Sequence, residues 1–295
     1  MPWAALVTVY LVWGSTYLGI RVAVGTIPPY VMTGFRYIVA GVLLFALQWL
    51  FTKTKPSLPN RREMLQILIV AVLLLCIGNG LLCLAETRVQ SGTSALLLAS
   101  TPIFMVLLDA LRSRKMPSAT ALCGIAIGTG GIAALVGKGA GNVDVGTGAM
   151  ILIGAFSWAF GSVYARHRKL GQYTAAFEMI AGGILCSIVA VAIGEPAHFH
   201  VQSVTAESLW GLLWLITGGA MLGYSAFAYA VRMLPTATVA TYGYVNPVVA
   251  VILGALILRE PLTWNVLGGG AAVIVSVVLI LLGNRSPVRA AALVD

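Results

Sequence analysis

The sequence predicts an all-α integral membrane protein, with ten transmembrane helices arranged as two inverted five-helix repeats around a central cavity. Three observations support this prediction: the composition, the spacing of the apolar segments, and a similarity between the two halves. Of the 295 residues, 59% are hydrophobic and only 9% are charged, whereas soluble domains carry about 25% charged residues. Together with the mean hydropathy of +0.96, this composition indicates a chain surrounded by lipid.

A membrane-spanning helix needs about 20 apolar residues, and ten segments of the chain are long and apolar enough. The first is too long and too continuous for a cleaved signal peptide. The connections are short, which leaves no room for a soluble domain. The predicted helices, numbered 1 to 10 along the chain, cover residues 3–24, 29–51, 64–85, 91–110, 118–136, 147–165, 173–193, 208–231, 237–257 and 263–283.

Basic residues are concentrated in alternate connections. They follow predicted helices 2, 4, 6, 8 and 10, whereas the other connections hold only Arg88, Lys138 and Arg259. The positive-inside rule therefore predicts that both termini lie on the cytoplasmic side of a bacterial-type inner membrane. The same distribution accounts for the net charge of +9 without a nucleic-acid partner. The basic set comprises Lys53, Lys55, Arg61, Arg62, Arg112, Arg114, Lys115, Arg166, Arg168, Lys169, Arg232, Arg285 and Arg289.

The two halves of the chain resemble each other when the sequence is shifted by about 145 positions. We therefore predict a first five-helix repeat over residues 1–145 and a second over residues 146–295. Because five is odd, the halves cross the membrane in opposite senses, an arrangement typical of alternating-access transporters. The matched pairs include Trp13 with Trp158, Arg21 with Arg166, Gly78 with Gly223, Pro102 with Pro247 and Arg114 with Arg259.

Two matched prolines fall inside apolar segments. Asn246–Pro247 in predicted helix 9 is the counterpart of Thr101–Pro102 in predicted helix 4. A proline frees a backbone carbonyl one turn earlier and permits a bend. Pro102 and Pro247 are therefore predicted hinges on opposite sides of a shared cavity, with tolerated kinks as the alternative interpretation.

Polar and aromatic side chains recur at helical spacing on several predicted helices. Such a surface suits a small amphipathic or zwitterionic solute. Trp and Tyr also form interfacial belts, which is the alternative interpretation. The predicted cavity residues are Tyr10, Trp13, Tyr17, Asn79, Trp158, Ser162, Tyr224, Tyr242, Tyr244 and Asn246.

Charged residues inside predicted helices are candidates for function. Arg36, Glu86, Glu178 and Asp109 lie towards helix ends and are predicted to be interfacial or gating residues. No carboxylate occupies a helix centre. This absence favours transport without strict proton coupling.

Enzyme and metal motifs are not found. The stretch GIAALVGKG from Gly131 has five residues between its first glycines, where a phosphate loop has four. His198 and His200 are expected to be solvated rather than metal ligands. The four cysteines, Cys76, Cys83, Cys123 and Cys186, lie in apolar segments and are expected to be core residues. No enzyme activity, cofactor or metal is predicted.

Several stretches together resemble the EamA-type exporters of the drug/metabolite transporter superfamily over essentially the whole chain. They are YLVWGSTYLGIRVAV, PPYVMTGFRYIVAG, FSWAFGSVYARH and YGYVNPVVAVILGALILREPL. The resemblance implies ten helices in inverted halves, cytoplasmic termini, and export of small metabolites. Amino acids, including aromatic, Thr-like and Met-like ones, are the best-represented substrates. It also implies a cavity lined by helices 1, 3, 4, 6, 8 and 9, with matching positions at Trp13, Thr101, Trp158 and Asn246.

One position departs from the family pattern. Lys115 stands where repeat 1 would carry an acidic residue, whereas repeat 2 has Glu260. Glu260 is therefore expected to cap helix 10 together with Pro261.

Two other functions stay open. A multidrug or quaternary-cation exporter would need a carboxylate in the cavity, for which Glu86 is the only sequence candidate. A non-transporting scaffold or receptor would gain nothing from inverted repeats. The expected partners are the lipid bilayer and a small-molecule substrate, with the chain acting as a monomer.

Overall fold

The computed structural model describes residues 1–51, 59–114, 116–136, 143–166, 173–234, 239 and 241–283. All regular secondary structure in these ranges is helical, which confirms the predicted all-α class. The helices are α1 Pro2–Ala23, α2 Pro29–Phe51, α3 Arg61–Ala85, α4 Ser91–Leu98 continued by Thr101–Ser113, α5 Ala119–Leu135, α6 Val145–Arg166, α7 Thr174–Ala192, α8 Ala206–Met233, α9 Tyr242–Ile257 and α10 Trp264–Gly283. Two short 3₁₀ turns, Glu195–His198 and Val201–Ser203, connect α7 to α8.

By length and composition, eight of these helices can cross a membrane, and α5 and α9 are shorter apolar helices. Each of the ten overlaps one predicted segment. The predicted start of helix 9 at residue 237 lies outside the described residues. Large apolar side chains such as Leu256 and Trp264 are exposed, which is expected where a helix faces lipid.

The middle of α3 and the middle of α8 are π-helical, over Ala71–Asn79 and Leu215–Gly223. Segments this long are rare, and π-helical turns occur frequently at functional sites. Their carbonyls accept bonds from other helices: Ser157 donates to Leu73 at 2.7 Å and Trp13 donates to Gly219 at 3.1 Å. The two segments occupy equivalent places in the two halves.

Glycines bring the helices α2 and α7 into backbone contact. A methyl group on Gly183 would lie 2.7 Å from the Ile38 nitrogen and 2.8 Å from the Gly34 oxygen, and one on Gly41 would lie 2.9 Å from the Ala176 oxygen. Higher numbers on α2 therefore face lower numbers on α7, so the pair is antiparallel. Small residues permit such close packing in membranes.

The helices α5 and α10 pack in the same antiparallel way. A methyl group on Gly124 would lie 2.9 Å from the Ser276 oxygen, and one on Gly131 would lie 2.8 Å from the Gly269 oxygen. Thus two helices of the first half pair with their equivalents in the second half, and in each pair the chain directions are opposite. Inverted repeats as predicted would give such antiparallel pairs, and the repeats stay a prediction.

The other principal contacts also occur in equivalent pairs, one in each half of the chain. The helix α1 packs against α8 and α9, and α6 packs against the equivalent helices α3 and α4, while α4 also packs against α9. Arg114 directly follows α4 and Arg259 follows α9 by two residues, and both have left-handed backbone angles, with φ of 52° and 55°. The match between these two arginines therefore extends from sequence to backbone conformation.

One expectation needs correction, and the bend predicted in helix 4 has a local cause. The chain turns at Ala99 and Ser100, and Pro102 lies in the first turn of the second piece. This is where proline is tolerated, since its missing N–H needs no partner there. Pro247, by contrast, lies inside α9. Cys123 is exposed rather than in the core, whereas the other three cysteines are buried.

Candidate functional site

A cavity of about 1180 Å³ lies between the two halves. Its wall includes residues from both repeats and from most of the ten helices. The sequence-predicted residues that line it are Trp13, Tyr17, Asn79, Thr101, Trp158, Ser162, Tyr224, Tyr242 and Asn246, with the hinge candidates Pro102 and Pro247 and the charge candidates Arg36 and Glu178.

Tyr10 and Tyr244 do not line the cavity, which corrects their predicted placement. The Tyr10 hydroxyl bonds to the Thr241 hydroxyl, and its ring packs near Leu6 and Val239. Tyr244 follows Tyr242 by two positions, so it points to a different side of α9.

Three aromatic rings form one part of the wall. The ring centroids of Trp13 and Phe227 are 5.0 Å apart, those of Trp13 and Tyr242 are 5.4 Å apart, and those of Phe227 and Tyr242 are 5.7 Å apart. Phe227 is not among the predicted cavity residues, although it follows Tyr224 by three positions and so shares its helix face. The wall therefore offers aromatic surfaces to an apolar group.

Trp13 and Trp158, which match in the two halves, contact the π-helical segments of α8 and α3 but differ in hydrogen bonding. Trp13 reaches the π-helical segment of α8, where its indole N–H donates to Gly219. Trp158 packs near Gly78 of the π-helical segment in α3. Among the described residues, the Trp158 indole N–H has no hydrogen-bond partner. It is therefore available to a solute in the cavity.

The two proline regions meet at the cavity. A methyl group on Gly243 would lie 4.0 Å from Pro102 Cγ, so α4 and α9 approach each other here. The Thr101 hydroxyl donates to the Leu98 carbonyl at 2.7 Å. Asn246 is 6% exposed, and its side-chain oxygen has no partner within the described part of the chain. An unpaired buried amide oxygen is costly, which makes Asn246 a candidate for contact with a solute.

The charged candidates are covered by neighbouring helices. Arg36 is 5% exposed and Glu86 is fully buried within the protein. Glu86 does not line the cavity, but its backbone carbonyl accepts a bond from Arg21. Glu178 and Asp109 both line the cavity. The cavity wall therefore holds two of the carboxylates that are predicted to be interfacial or gating residues, and these roles stay predictions.

The cavity extends towards one end of the molecule. Its lining reaches Pro117 and Gly283, which lie at the end predicted to be cytoplasmic. At the opposite end, the carboxylate of Glu195 accepts bonds from the backbone N–H groups of Tyr30 and Val31 at 3.2 and 2.8 Å. This contact joins the start of α2 to the connection before α8.

Glu260 makes a similar contact at that end. Its carboxylate accepts bonds from the Ser91 N–H at 2.8 Å, the Ser91 hydroxyl at 2.9 Å and the Gly92 N–H at 3.1 Å. It therefore caps α4, and the expectation that it caps helix 10 is wrong. The free N–H groups of a helix start attract a carboxylate from any neighbouring connection, which sequence alone does not reveal.

Replacing Glu260 by glutamine is expected to destabilise the protein by about 1–2 kcal/mol, because a charged cap with three hydrogen bonds is weakened. The measurement is the melting temperature of the purified protein in detergent. Glu207→Gln, at an exposed position in the first turn of α8, removes a carboxylate that bonds only near its own turn, to Thr205 and its own backbone, and should lower the melting temperature less. A melting temperature of Glu260→Gln as high as that of Glu207→Gln would contradict the capping role.

Comparison with known proteins identifies close relatives. The EamA-like transporter family matches residues 2–137 and again residues 147–282. The uncharacterized inner membrane transporter YedA of Escherichia coli (strain K12) is 36% identical over 95% of this chain and 90% of its own length. A Salmonella typhimurium protein named "Probable amino-acid metabolite efflux pump" is 26% identical over 94% of this chain and 93% of its own length. A known crystal structure shares the fold at a TM-score of 0.66 and 14% identity, covering 96% of this chain and 97% of its own.

Proposed function

This chain belongs to the EamA-like transporter family, and on that premise we propose that it exports small metabolites, chiefly amino acids, by alternating access. Family and relatives support a multi-pass inner-membrane transporter of a small molecule. The observation that carries the finer proposal is the cavity between the halves. Its volume of about 1180 Å³ includes the path towards Pro117 and Gly283, and it leaves room for a solute of the size that common sites of roughly 300–1,000 Å³ hold.

The contents of the wall support amino acids. Aromatic rings, Trp158 among them, can hold an apolar side chain, while Asn246 offers an amide oxygen without a partner among the described residues. The relative named as an amino-acid metabolite efflux pump favours the same class. We further propose that the protein acts as a monomer and that both termini lie in the cytoplasm. In this structure the cavity is then open to the cytoplasm.

Counterflow in proteoliposomes tests the function. Vesicles loaded with unlabelled L-amino acids should accumulate a uniformly labelled amino-acid hydrolysate, whereas protein-free vesicles should not. Exchange should persist when the proton gradient is collapsed at constant pH, if coupling is not strict. Absence of exchange for every amino acid in the hydrolysate would contradict the proposed substrate class.

A second function is favoured by one observation. Glu178 and Asp109 lie in the cavity wall, which supplies the carboxylates that a quaternary-cation exporter would use. Counterflow of labelled tetraphenylphosphonium in the same vesicles separates this function from amino-acid export. A scaffold or receptor would exchange neither probe.

The orientation of the chain has its own test. After residue 289, a reporter enzyme that is active only in the cytoplasm should be active, and one that is active only in the periplasm should not. Within residues 194–206, the periplasmic reporter should be active and the cytoplasmic one should not. The reverse pattern would place the cavity's open end outside the cell and would contradict the cytoplasm-facing assignment.

A further inference from the structure

The helices α4 and α9 pack closely at one end of the molecule and part towards the other. Near the start of α4, a methyl group on Gly92 would lie 3.1 Å from the Cα of Val251, so the two backbones nearly touch. Near the start of α9, a methyl group on Gly243 would lie 4.0 Å from Pro102, and that contact is with a side chain. Beyond Pro102, α4 packs principally against α6. The distance between α4 and α9 therefore increases along their length.

The cavity lies between the parted lengths of these two helices. Of α4, only residues from Leu98 onwards line the cavity, and of α9 only residues up to Pro247 do so. The lining continues from there to Pro117 and Gly283, at the end where the cavity is open. The packed lengths, 91–97 of α4 and 248–257 of α9, therefore close the opposite end. Alternating access requires that this closed end opens while the open end closes.

One carboxylate joins the two helices at the closed end. Glu260 follows α9 by three residues, and its backbone N–H donates to the Gly254 carbonyl of that helix at 3.1 Å. Its side chain reaches the other half of the chain, where it accepts the three bonds from Ser91 and Gly92 at the start of α4. Hydrogen bonds to a charged acceptor are about twice as strong as neutral ones. The carboxylate therefore ties α9 to α4 across their packed lengths.

We infer that Glu260 is the latch of the closed end: its bonds to α4 keep the cavity closed there, and they break when α4 and α9 part to open it. A contact that is made in only one of two states shifts the equilibrium towards that state. The latch therefore favours the state of this structure, in which the cavity is open at the end of Pro117 and Gly283. This inference rests on the proposed alternating access.

Glu195 provides a contrast at the same end. Its carboxylate also caps a helix start of the other half, through the N–H groups of Tyr30 and Val31. It follows α7 by three residues, however, and α7 contacts the backbone of α2 from Gly183 to Ala176. These close contacts favour movement of α2 and α7 as one unit. The Glu195 bonds are therefore expected to remain when the closed end opens.

The test measures from which side of the membrane the cavity can be reached. Thr16, which lines the cavity, is replaced by cysteine, and membrane vesicles of both orientations are treated with a membrane-impermeant maleimide. Labelling of the same protein without Thr16→Cys is subtracted. Ser203→Cys, at an exposed position between α7 and α8, identifies the vesicles that expose the closed end. Without further substitution, Thr16→Cys should be labelled mainly from the open end.

The variants should separate the latch from a cap that only stabilises the fold. Glu260→Gln should raise the rate of labelling from the closed end about tenfold, and it should not raise the rate from the open end. Ser91→Ala, which removes the bond of the hydroxyl and keeps those of the N–H groups, should give a smaller increase from the same side. Glu195→Gln is the matched control: it should lower the melting temperature without changing either rate of labelling.

The outcomes distinguish this inference from the proposed function. Unchanged labelling from the closed end in both Glu260→Gln and Ser91→Ala would overturn the latch, and so would an equal increase in Glu195→Gln. A rise from both ends would also overturn it, because a general loosening of the structure admits the reagent from either side. If Glu260→Gln fails to fold, the comparison of Ser91→Ala with Glu195→Gln decides. The expected labelling together with an absence of amino-acid counterflow would support the latch and remove the proposed substrate class.

Discussion

Replacing Gly131 by alanine is expected to destabilise the protein by about 1–3 kcal/mol, because the added methyl group overpacks the interface of α5 and α10. It would lie 2.8 Å from the Gly269 carbonyl oxygen and 3.0 Å from the Val273 nitrogen. These are backbone atoms, so a rotamer change cannot relieve the contact and the helices must separate.

The adjacent glycine provides the control. A methyl group on Gly130 would meet nothing within 4 Å, and alanine favours the helix over glycine by about 1 kcal/mol. Gly130→Ala should therefore keep or raise the melting temperature in detergent, while Gly131→Ala lowers it. The pair Gly268→Ala and Gly269→Ala should repeat the contrast on α10. Equal melting temperatures within both pairs would show that close packing is not what holds these helices together.

Replacing Asn246 is expected to weaken substrate binding without lowering the stability of the protein. If its side-chain amide binds the substrate, Asn246→Leu should weaken binding by about 1–3 kcal/mol, seen as a higher half-saturating concentration in counterflow. Because the amide oxygen is buried without a partner among the described residues, leucine should not lower the melting temperature. A purely structural asparagine would give a lower melting temperature with unchanged half-saturation.

The sequence predicted the helices better than the contacts between them. Apolar length alone identifies the ten segments, because lipid forces each segment to satisfy its own backbone. The capping of α4 by Glu260 joins parts of the chain that are distant in sequence, and no local pattern signals it. A bend near Pro102 was predicted, but not the position of Pro102 at a helix start, because a proline is compatible with either a bend or a helix start.

Residues that line the cavity were predictable where polar or aromatic side chains recur at helical spacing. Trp13 and Tyr17 share a helix face and both line the cavity. Phe227 was missed because it has no polar group to set it apart from lipid-facing residues. The burial of Arg36 within the protein was not predictable, since distance from a helix end says nothing about which neighbours cover the side chain. The π-helical segments are set by backbone hydrogen bonding and have no signature in the apolar pattern.

The pairing of α2 with α7 and of α5 with α10 has a consequence for how the protein is made. When the first half leaves the ribosome and enters the membrane, the glycine-lined faces of α2 and α5 have no permanent partners, because those partners have not yet been synthesised. Domains normally fold as units in the order of synthesis. Here each half needs the other to cover its glycine-lined helix faces. A chain that stops before α10 would leave the glycine-lined face of α5 without its partner helix in the bilayer. Such a fragment is a natural target for membrane quality control.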